Sequence, residues 1–206
     1  LVCPYHQWTY ELDGRLLYAR DMGADFKPAD HGLKPVACVD AGGMVFVCLA
    51  ETPPAVDGMV EAAKRYLAPH RLTDAKIAFE STIIEKGNWK LVMENNRECY
   101  HCAGSHPSLC RTFPDRPGYT SMDEHGNVEP IIAQHWAKCE AAGLPSRFHL
   151  DPDHPWRFVR IPLLGAGESF TLDGKAAVPT KRLSTAPFAD AGSLLFFHYP
   201  NSWNHF

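Results

Sequence analysis

Residues 88–109 read NWKLVMENNRECYHCAGSHPSL, and the rest of the chain is interpreted around this stretch. Its apolar residues recur at helical spacing from Trp89 through Val92 and Met93 to Tyr100. Asn88 stands just before them and can cap a helix, because its side-chain oxygen accepts a hydrogen bond from a free backbone N–H. The stretch therefore predicts a helix that begins after Asn88.

Two histidines follow on this segment, His101 and His106. Five residues on an unbroken helix place side chains about 140° apart, so the two rings converge only if the helix stops between them. Gly104 supplies flexibility at that point. Pro107 disfavours the helical conformation for His106 itself. We therefore expect the helix to be interrupted near Gly104 and the two imidazoles to face each other.

The chemistry of this segment has three interpretations. Glu98, His101 and His106 give two imidazoles and a carboxylate, the ligand set of mononuclear non-haem iron(II) oxygenases. A zinc site is a second interpretation, because three thiols lie close to the same histidines (Cys99, Cys102 and Cys110). In the third, the histidines pack at a helix end and bind no metal.

Composition limits the class of protein. The 206 residues are 45% hydrophobic and 21% charged, with 20 basic and 24 acidic side chains, as is usual for a soluble globular protein. We find no basic stripe and no apolar run long enough to span a bilayer, so neither nucleic acid nor a membrane is an expected partner. Seven cysteines without a secretory signal favour reduced thiols and a cytoplasmic protein.

The first fifty residues read as β-structure. Asp13-Gly14 separates two strand-like runs, and residues 40–43 separate two more (33–39 and 44–50), so two hairpins are predicted. Cys3-Pro4-Tyr5-His6 precedes the first hairpin as a C-x2-H pair. By itself this pair is a weak signal, because a buried cysteine beside an exposed histidine gives the same pattern.

The remainder mixes helices and strands. Glu51-Thr52-Pro53-Pro54 ends the β-pattern, and Asp57 caps a predicted short helix through Leu67. We predict a strand at Lys76–Glu85, an amphipathic helix over 128–142 and antiparallel strands (156–164, 168–172 and 192–200). The expected fold class is therefore α+β, with an antiparallel sheet and flanking helices.

CPYHQW at residues 3–8 is followed about a hundred residues later by E-x2-H-x4-H. Together they resemble the oxygenase (alpha) subunit of Rieske non-haem iron oxygenases. NWKLVMENNRECYHCAGSHP, RIPLLGAGESFTLDGKAAV and HYPNSWNHF are similar to the branch of glycine betaine monooxygenase, stachydrine demethylase and carnitine monooxygenase. The resemblance implies a partial β-rich Rieske domain (1–52), a linker with a short helix (53–75) and a helix-grip-like catalytic domain (76–206).

The resemblance also implies roles for individual residues. Cys3 and His6 would be the second pair of ligands of a 2Fe–2S Rieske cluster, and His101 and His106 would hold a mononuclear Fe(II). Glu98 would then be no ligand, but the carboxylate that bridges the two metal centres across a subunit boundary of a homotrimer. The first C-x-H pair of the cluster and the aspartate that completes the iron site fall outside this sequence, so we expect a longer protein.

The implied activity is hydroxylation and N-demethylation of a quaternary ammonium compound such as glycine betaine. It would use O2 and electrons from NAD(P)H, delivered by a separate flavin- or ferredoxin-type reductase. Aromatic faces hold a permanent cation, so we expect Tyr199 and Trp203 to form a wall of the substrate site, with Trp136 and Phe113 as further candidates. The alternatives are an aromatic ring-hydroxylating alpha subunit and a zinc-binding structural module.

Overall fold

The computed structural model describes residues 1–98, 100–111, 128–151, 153–164, 173, 175, 182–187, 191–199 and 202–206. By backbone contacts the chain divides into two compact units. The first contains Leu1–Asp40 and Val45–Ala55, and the second contains Ala41–Met44 and Val56–Phe206. The secondary structure is mixed and its sheets are antiparallel where pairing is defined, which confirms the α+β class.

The first unit contains the first predicted hairpin and most of the second, whose tip, Ala41–Met44, is assigned to the second unit. Their strands are β1 (Thr9–Tyr10), β2 (Leu16–Tyr18), β3 (Ala37–Ala41) and β4 (Met44–Cys48). Thr9 pairs with Tyr18 across the Asp13-Gly14 turn, where Gly14 has the positive φ of 88° that such a turn requires. A short 3-10 helix, Pro28–His31, lies between the hairpins. The hairpin predictions are confirmed, although β3 begins four residues later than expected.

Four helices belong to the second unit in the described ranges: α1 (Asp57–Leu67), α2 (Trp89–Arg97), α3 (Cys102–Ser105) and α4 (Pro130–Ala141). Two short 3-10 helices lie between α1 and α2 (Ala68–His70 and Leu72–Asp74), and another lies between α3 and α4 (Leu109–Arg111). The helices predicted after residues 57 and 128 are confirmed. Asp57, however, does not cap α1, because Val56 occupies the N-cap position and Asp57 is the first helical residue.

The main sheet contains β5 (His149–Leu150), β6 (Trp156–Ile161), β9 (Ser193–His198) and β10 (Ser202–His205) in the order β10-β9-β6-β5. A separate small hairpin joins β7 (Arg182–Leu183) and β8 (Ala186–Pro187). Arg157 pairs with Phe197 and Phe158 pairs with Phe196 in the central β6–β9 ladder. Since side chains alternate along a strand, these two pairs lie on opposite faces of the sheet.

Both faces of the sheet are covered. On the face of Phe158, the Tyr66 ring of α1 stacks at 5.1 Å, and Phe158 stacks in turn on Phe196 at 4.2 Å. On the opposite face, Ile132 and Trp136 of α4 pack against residues of β6 and β9. Each fully buried side chain of this size contributes about 1.5–3 kcal/mol to folding. The second unit is therefore a layered arrangement of helix, sheet and helix.

One strand prediction is wrong. Residues 76–87 form no helix or strand, and Ile77 and Phe79 are more than 80% exposed. The β-propensity of this segment is high, but a strand exists only when a neighbour accepts its backbone hydrogen bonds. The predicted strand at 168–172 lies outside the described residues.

Candidate metal centre

Helix α2 begins where the sequence predicts. The side chain of Asn88 accepts a hydrogen bond from the backbone N–H of Lys90 at 2.9 Å, so it caps the helix. The helix ends earlier than expected. Glu98 has φ −114° and ψ 155°, an extended conformation that stops the helix three residues before His101.

The interruption is therefore at Glu98 and not at Gly104. Gly104 lies inside the short helix α3, which starts just after His101. Its φ is not positive, so its backbone conformation is one that other residues also adopt. His106 ends α3 with φ −130° and ψ 52°, as expected of a residue before proline. The prediction that Gly104 bends the chain is wrong, whereas the predicted effect of Pro107 is confirmed.

The imidazole rings of His101 and His106 lie together. Their centroids are 5.3 Å apart and their planes meet at 79°. A metal–nitrogen bond of about 2.1 Å places a ring centroid about 3.2 Å from the ion, so two rings on one ion stand at most about 6.5 Å apart. The observed separation fits a shared ion, and the rings of both histidines can contribute to it.

Glu98 is joined to one of these histidines. Nδ1 of His101 donates to Oε1 of Glu98 at 2.6 Å, and the backbone N–H of Tyr100 donates to Oε2 at 2.5 Å. The bond from His101, and after it the bond from Tyr100, lowers the pKa of Glu98, so this carboxyl is ionised at neutral pH. A proton on Nδ1 leaves Nε2 of His101 with its lone pair, which is the form that binds a metal.

The initial interpretation of Glu98 as a third ligand has no support in this geometry. Among the residues that the structure describes, no three His, Cys, Asp or Glu side chains are gathered so as to hold a metal ion. Cys102 is buried and disulfide-bonded, so it offers no thiolate for zinc, and the expectation of reduced thiols fails there. Cys99 lies outside the described residues. The histidine pair is thus an incomplete site of two imidazoles.

Cys3 and His6 occupy a tight turn in the first unit. The backbone N–H of Cys3 donates to the carbonyl of Trp8 at 2.8 Å, and that of Gln7 donates to the carbonyl of Cys3 at 2.9 Å. Gln7 takes a left-handed conformation with φ 62° to close this turn. The Cys3 thiol is free and the His6 side chain is exposed. Thiolate and imidazole are the donor types of a Rieske cluster, so this turn fits one half of such a site.

Tyr199 and Trp203, the expected wall of the substrate site, lie on the sheet face that α4 covers. The Trp203 ring stacks parallel to Phe197 with centroids 6.0 Å apart, and the Tyr199 ring lies 5.5 Å from Phe197. Trp203 is 46% exposed. Trp136 is buried in the core, where its Nε1–H donates to the carbonyl of Arg160 at 2.7 Å. Phe113 lies outside the described residues.

Sequence reasoning overlooked one side chain at this wall. The guanidinium of Arg157 stands 4.3 Å above the Phe197 ring and 5.4 Å from that of Tyr199. WRFVRI at residues 156–161 predicts a buried strand, and that prediction gives Arg157 no role. A charged residue among the apolar residues of a buried strand is nevertheless a signal of function, because a buried charge needs a partner.

Comparison with known proteins gives the family. The family of ring-hydroxylating alpha subunits, by its catalytic domain, matches residues 64–188, which include Glu98 and both histidines. The chain belongs to this family.

Individual relatives have names that are more specific than the family description. The chain is 45% identical along its whole length to the glycine betaine monooxygenase oxygenase subunit of Chromohalobacter salexigens, of which it covers 46%. The subunit of the same name from Pseudomonas aeruginosa (strain UCBPP-PA14) is also 45% identical, and 48% of it is covered. The carnitine monooxygenase oxygenase subunit of Escherichia coli (strain K12) is 33% identical over 62% of this chain and 34% of its own length. The chain thus spans about half the length of the first two relatives.

Solved structures show the same fold. The quaternary ammonium Rieske monooxygenase CntA in complex with an inhibitor superposes with a TM-score of 0.59 at 20% identity, over 99% of this chain and 43% of that one. A second structure of a quaternary ammonium Rieske monooxygenase gives 0.57 at 18% identity, over 99% and 44%. At these identities the likeness supports the fold alone.

No helix in the described ranges is long and apolar enough to cross a membrane.

Proposed function

We propose that this ring-hydroxylating alpha subunit is part of a terminal oxygenase that removes a methyl group from a quaternary ammonium compound such as glycine betaine. The observation that carries the proposal is an overall identity of 45%, in alignments that cover the whole chain, to oxygenase subunits named for glycine betaine. The matching family model includes the histidine pair, whose ring separation fits a shared metal ion.

His101 and His106 would hold a mononuclear Fe(II), and Cys3 with His6 would hold one side of a 2Fe–2S Rieske cluster. When bound, the iron would activate O2 and the cluster would relay the electrons for it, which would come from NAD(P)H through a separate flavin- or ferredoxin-type reductase. Hydroxylation of an N-methyl group places one oxygen atom on that carbon and the other in water. The hydroxymethyl group then leaves as formaldehyde, and the nitrogen keeps the electron pair as a tertiary amine.

Glu98 is proposed to serve this chemistry without contacting the iron. Its carboxylate accepts the Nδ1 proton of His101, which fixes the tautomer and the orientation of that ring. The other carboxylate oxygen accepts a hydrogen bond from the backbone N–H of Tyr100, so both oxygens help to hold the carboxylate in this orientation. In the proposed homotrimer, Glu98 is also the residue that links the iron site to the Rieske site of a neighbouring subunit.

The substrate contributes a permanent cation and needs an aromatic surface. Trp203 presents nearly half of its surface to solvent beside the stacked ring of Phe197. A desolvated cation over such a ring gains about 2 kcal/mol. We therefore propose that Tyr199 and Trp203 form one wall of the substrate site, in a cytoplasmic enzyme.

Product analysis tests this function. The complete gene product, purified with a reductase of this class, is expected to release one formaldehyde per glycine betaine consumed and to contain iron. The His101→Ala variant should lose this activity, while His154→Ala, which changes a partly buried histidine paired with Asp151, should keep it. Formaldehyde from none of glycine betaine, stachydrine or carnitine, together with dihydroxylation of anthranilate, would assign the chain to aromatic ring hydroxylation instead.

A further inference from the structure

Arg157 places a fixed positive charge on the aromatic face of the sheet. Its guanidinium lies over Phe197 at 4.3 Å, near Tyr199 at 5.4 Å and near Phe148 at 5.9 Å. The three rings hold the planar group by stacking and by cation–π attraction. The position is built by the fold, because Arg157 and Phe197 are directly paired residues of neighbouring strands.

This charge has no counter-ion in the part of the chain that the structure describes. No carboxylate oxygen of those residues lies within 4.0 Å of the Arg157 nitrogens; the arginine ion pairs that are formed involve other side chains, such as Arg147 with Glu140 at 2.9 Å. Arg157 does donate one hydrogen bond, from Nη2 to the hydroxyl of Tyr199 at 3.1 Å. Its Nε is buried and makes no hydrogen bond to the described residues.

A buried donor without an acceptor is uncommon and costs free energy. Arginine cannot relieve this cost by losing its proton. The guanidinium offers its N–H groups in a fixed fork, and the acceptor that matches this fork is a carboxylate with two parallel oxygens. A carboxylate is therefore the group whose shape and charge best match the guanidinium of Arg157.

The charge also affects which molecules can use the neighbouring wall. Trp203 stacks on the same Phe197 ring that Arg157 covers, so a ligand at Trp203 meets the field of the guanidinium. A ligand that carries only a cation is repelled by it. A ligand that carries both a quaternary ammonium group and a carboxylate gains one attraction at each end.

We propose that Arg157 binds the carboxylate of the substrate and so selects quaternary ammonium acids over cations that lack an acid group. The proposal rests on the proposed function and adds a specificity residue to it. The side chain of Tyr199 then has two roles, as part of the aromatic wall and as the hydroxyl that orients Nη2 of Arg157.

The test compares ligands that differ only at the acid end. Glycine betaine, its methyl ester and choline are titrated by calorimetry against the complete, metal-loaded protein, and KM and kcat are measured for those that turn over. The wild type should bind glycine betaine most tightly. Arg157→Gln should weaken glycine betaine by roughly 10- to 100-fold, the range for a hydrogen bond to a charged group. The ester and choline should lose no affinity and should bind slightly more tightly, because the charge that repels them is gone.

Three further variants sharpen the comparison. Arg157→Lys keeps the charge without the fork and should fall between wild type and Arg157→Gln. Tyr199→Phe keeps the ring and should weaken glycine betaine only a few-fold, through KM and not kcat. Arg147→Gln removes an exposed arginine of the same unit and should change no ligand's affinity.

The outcomes separate the two proposals. Equal losses for glycine betaine and its ester in Arg157→Gln, or no loss for either, overturn the role of Arg157. If Arg157→Gln fails to fold, Arg157→Lys and Tyr199→Phe decide the question from the same ratio of affinities. Calorimetry measures ligand affinity and so tests the role of Arg157 without any turnover. Absence of formaldehyde from the wild type would instead contradict the proposed function.

Discussion

Oε1 of Glu98 lies 2.6 Å from Nδ1 of His101, and the two residues are three positions apart in the chain. This bond decides which nitrogen of His101 faces a metal. Removal of a carboxylate that supports a metal-binding histidine typically costs 10- to 100-fold in metal affinity or activity. We expect Glu98→Ala to lose iron and activity in this range, measured as iron per chain and as formaldehyde release.

Glu98→Gln separates orientation from charge at the same position. The amide oxygen can still accept the Nδ1 proton, so iron content should stay near that of the wild type. The negative charge is gone, and with it the proposed link to the Rieske site, so activity should fall by roughly 10-fold or more. Full activity in Glu98→Gln would show that only the hydrogen bond matters.

The histidine pair makes a second prediction, about metal content. His106→Ala removes one of two imidazoles whose rings lie 5.3 Å apart, so the variant should bind less than a tenth of the iron that the wild type binds to this site. Visible absorbance of a Rieske cluster should remain, because Cys3 and His6 are unchanged. Metal analysis and absorbance spectra of the same sample check both statements, and undiminished non-cluster iron would contradict the assignment of His106.

Two glycines give a matched test of the backbone. A methyl group at Gly104 meets nothing within 4 Å, whereas one at Gly192, where φ is +62°, would lie 2.0 Å from the carbonyl of Ile161. Gly104→Ala should raise the free energy of unfolding by about 0.5–1 kcal/mol, because alanine favours helix α3. Gly192→Ala should lower it by about 3 kcal/mol or more through overpacking. Urea unfolding of both variants measures the difference, and destabilisation by Gly104→Ala would restore the hinge that the structure contradicts.

A buried pair on the other face of the sheet predicts a pH dependence. Nη2 of Arg160 donates to Nε2 of His70 at 3.1 Å, which requires neutral His70. Burial, and after it the Arg160 charge, lowers the pKa of His70 from 6.5 to about 4. The unfolded chain therefore binds one proton more between these values, and stability falls as pH decreases through that window, by about 2–3 kcal/mol in total.

His70→Gln tests this prediction without removing the acceptor. The glutamine oxygen can receive the Arg160 bond and does not titrate, so the fall in stability between pH 6.5 and 4 should become smaller by the stated amount. His31→Gln, a substitution at an exposed histidine of the first unit, should leave the slope unchanged. Urea unfolding at half-unit steps of pH compares the three proteins, and equal slopes would contradict the role of His70.

Local rules in the sequence predicted much of this structure. The cap at Asn88, the turn at Gly14 and the helix at 130–141 follow from residues within a few positions of each other, and all three are present. The proximity of His101 and His106 was also expected; of the two reasons given, the effect of Pro107 on His106 is confirmed and the flexibility at Gly104 is wrong. The extended Glu98 ends the helix, while Gly104 continues a new one, because the bonds that Glu98 makes to Tyr100 and His101 stabilise its non-helical backbone.

Long-range pairing could not be read in the same way. Ile77, Phe79 and Ile83 are residue types that favour strands, but no local rule states whether a neighbouring strand is available. The environment of Arg157 likewise depends on Phe197, forty residues later, and on the register that places them side by side. Such contacts depend on the whole fold. The histidines could therefore be predicted from a local motif, whereas the role of Arg157 could not.

The short span between Glu98 and His101 has a consequence for the histidine pair. An acid and an imidazole separated by three residues meet through rotations of the local chain alone, without any contact to the sheet. We therefore expect the orientation of the His101 ring toward an incoming ion to depend on residues 98–101 and not on the sheet.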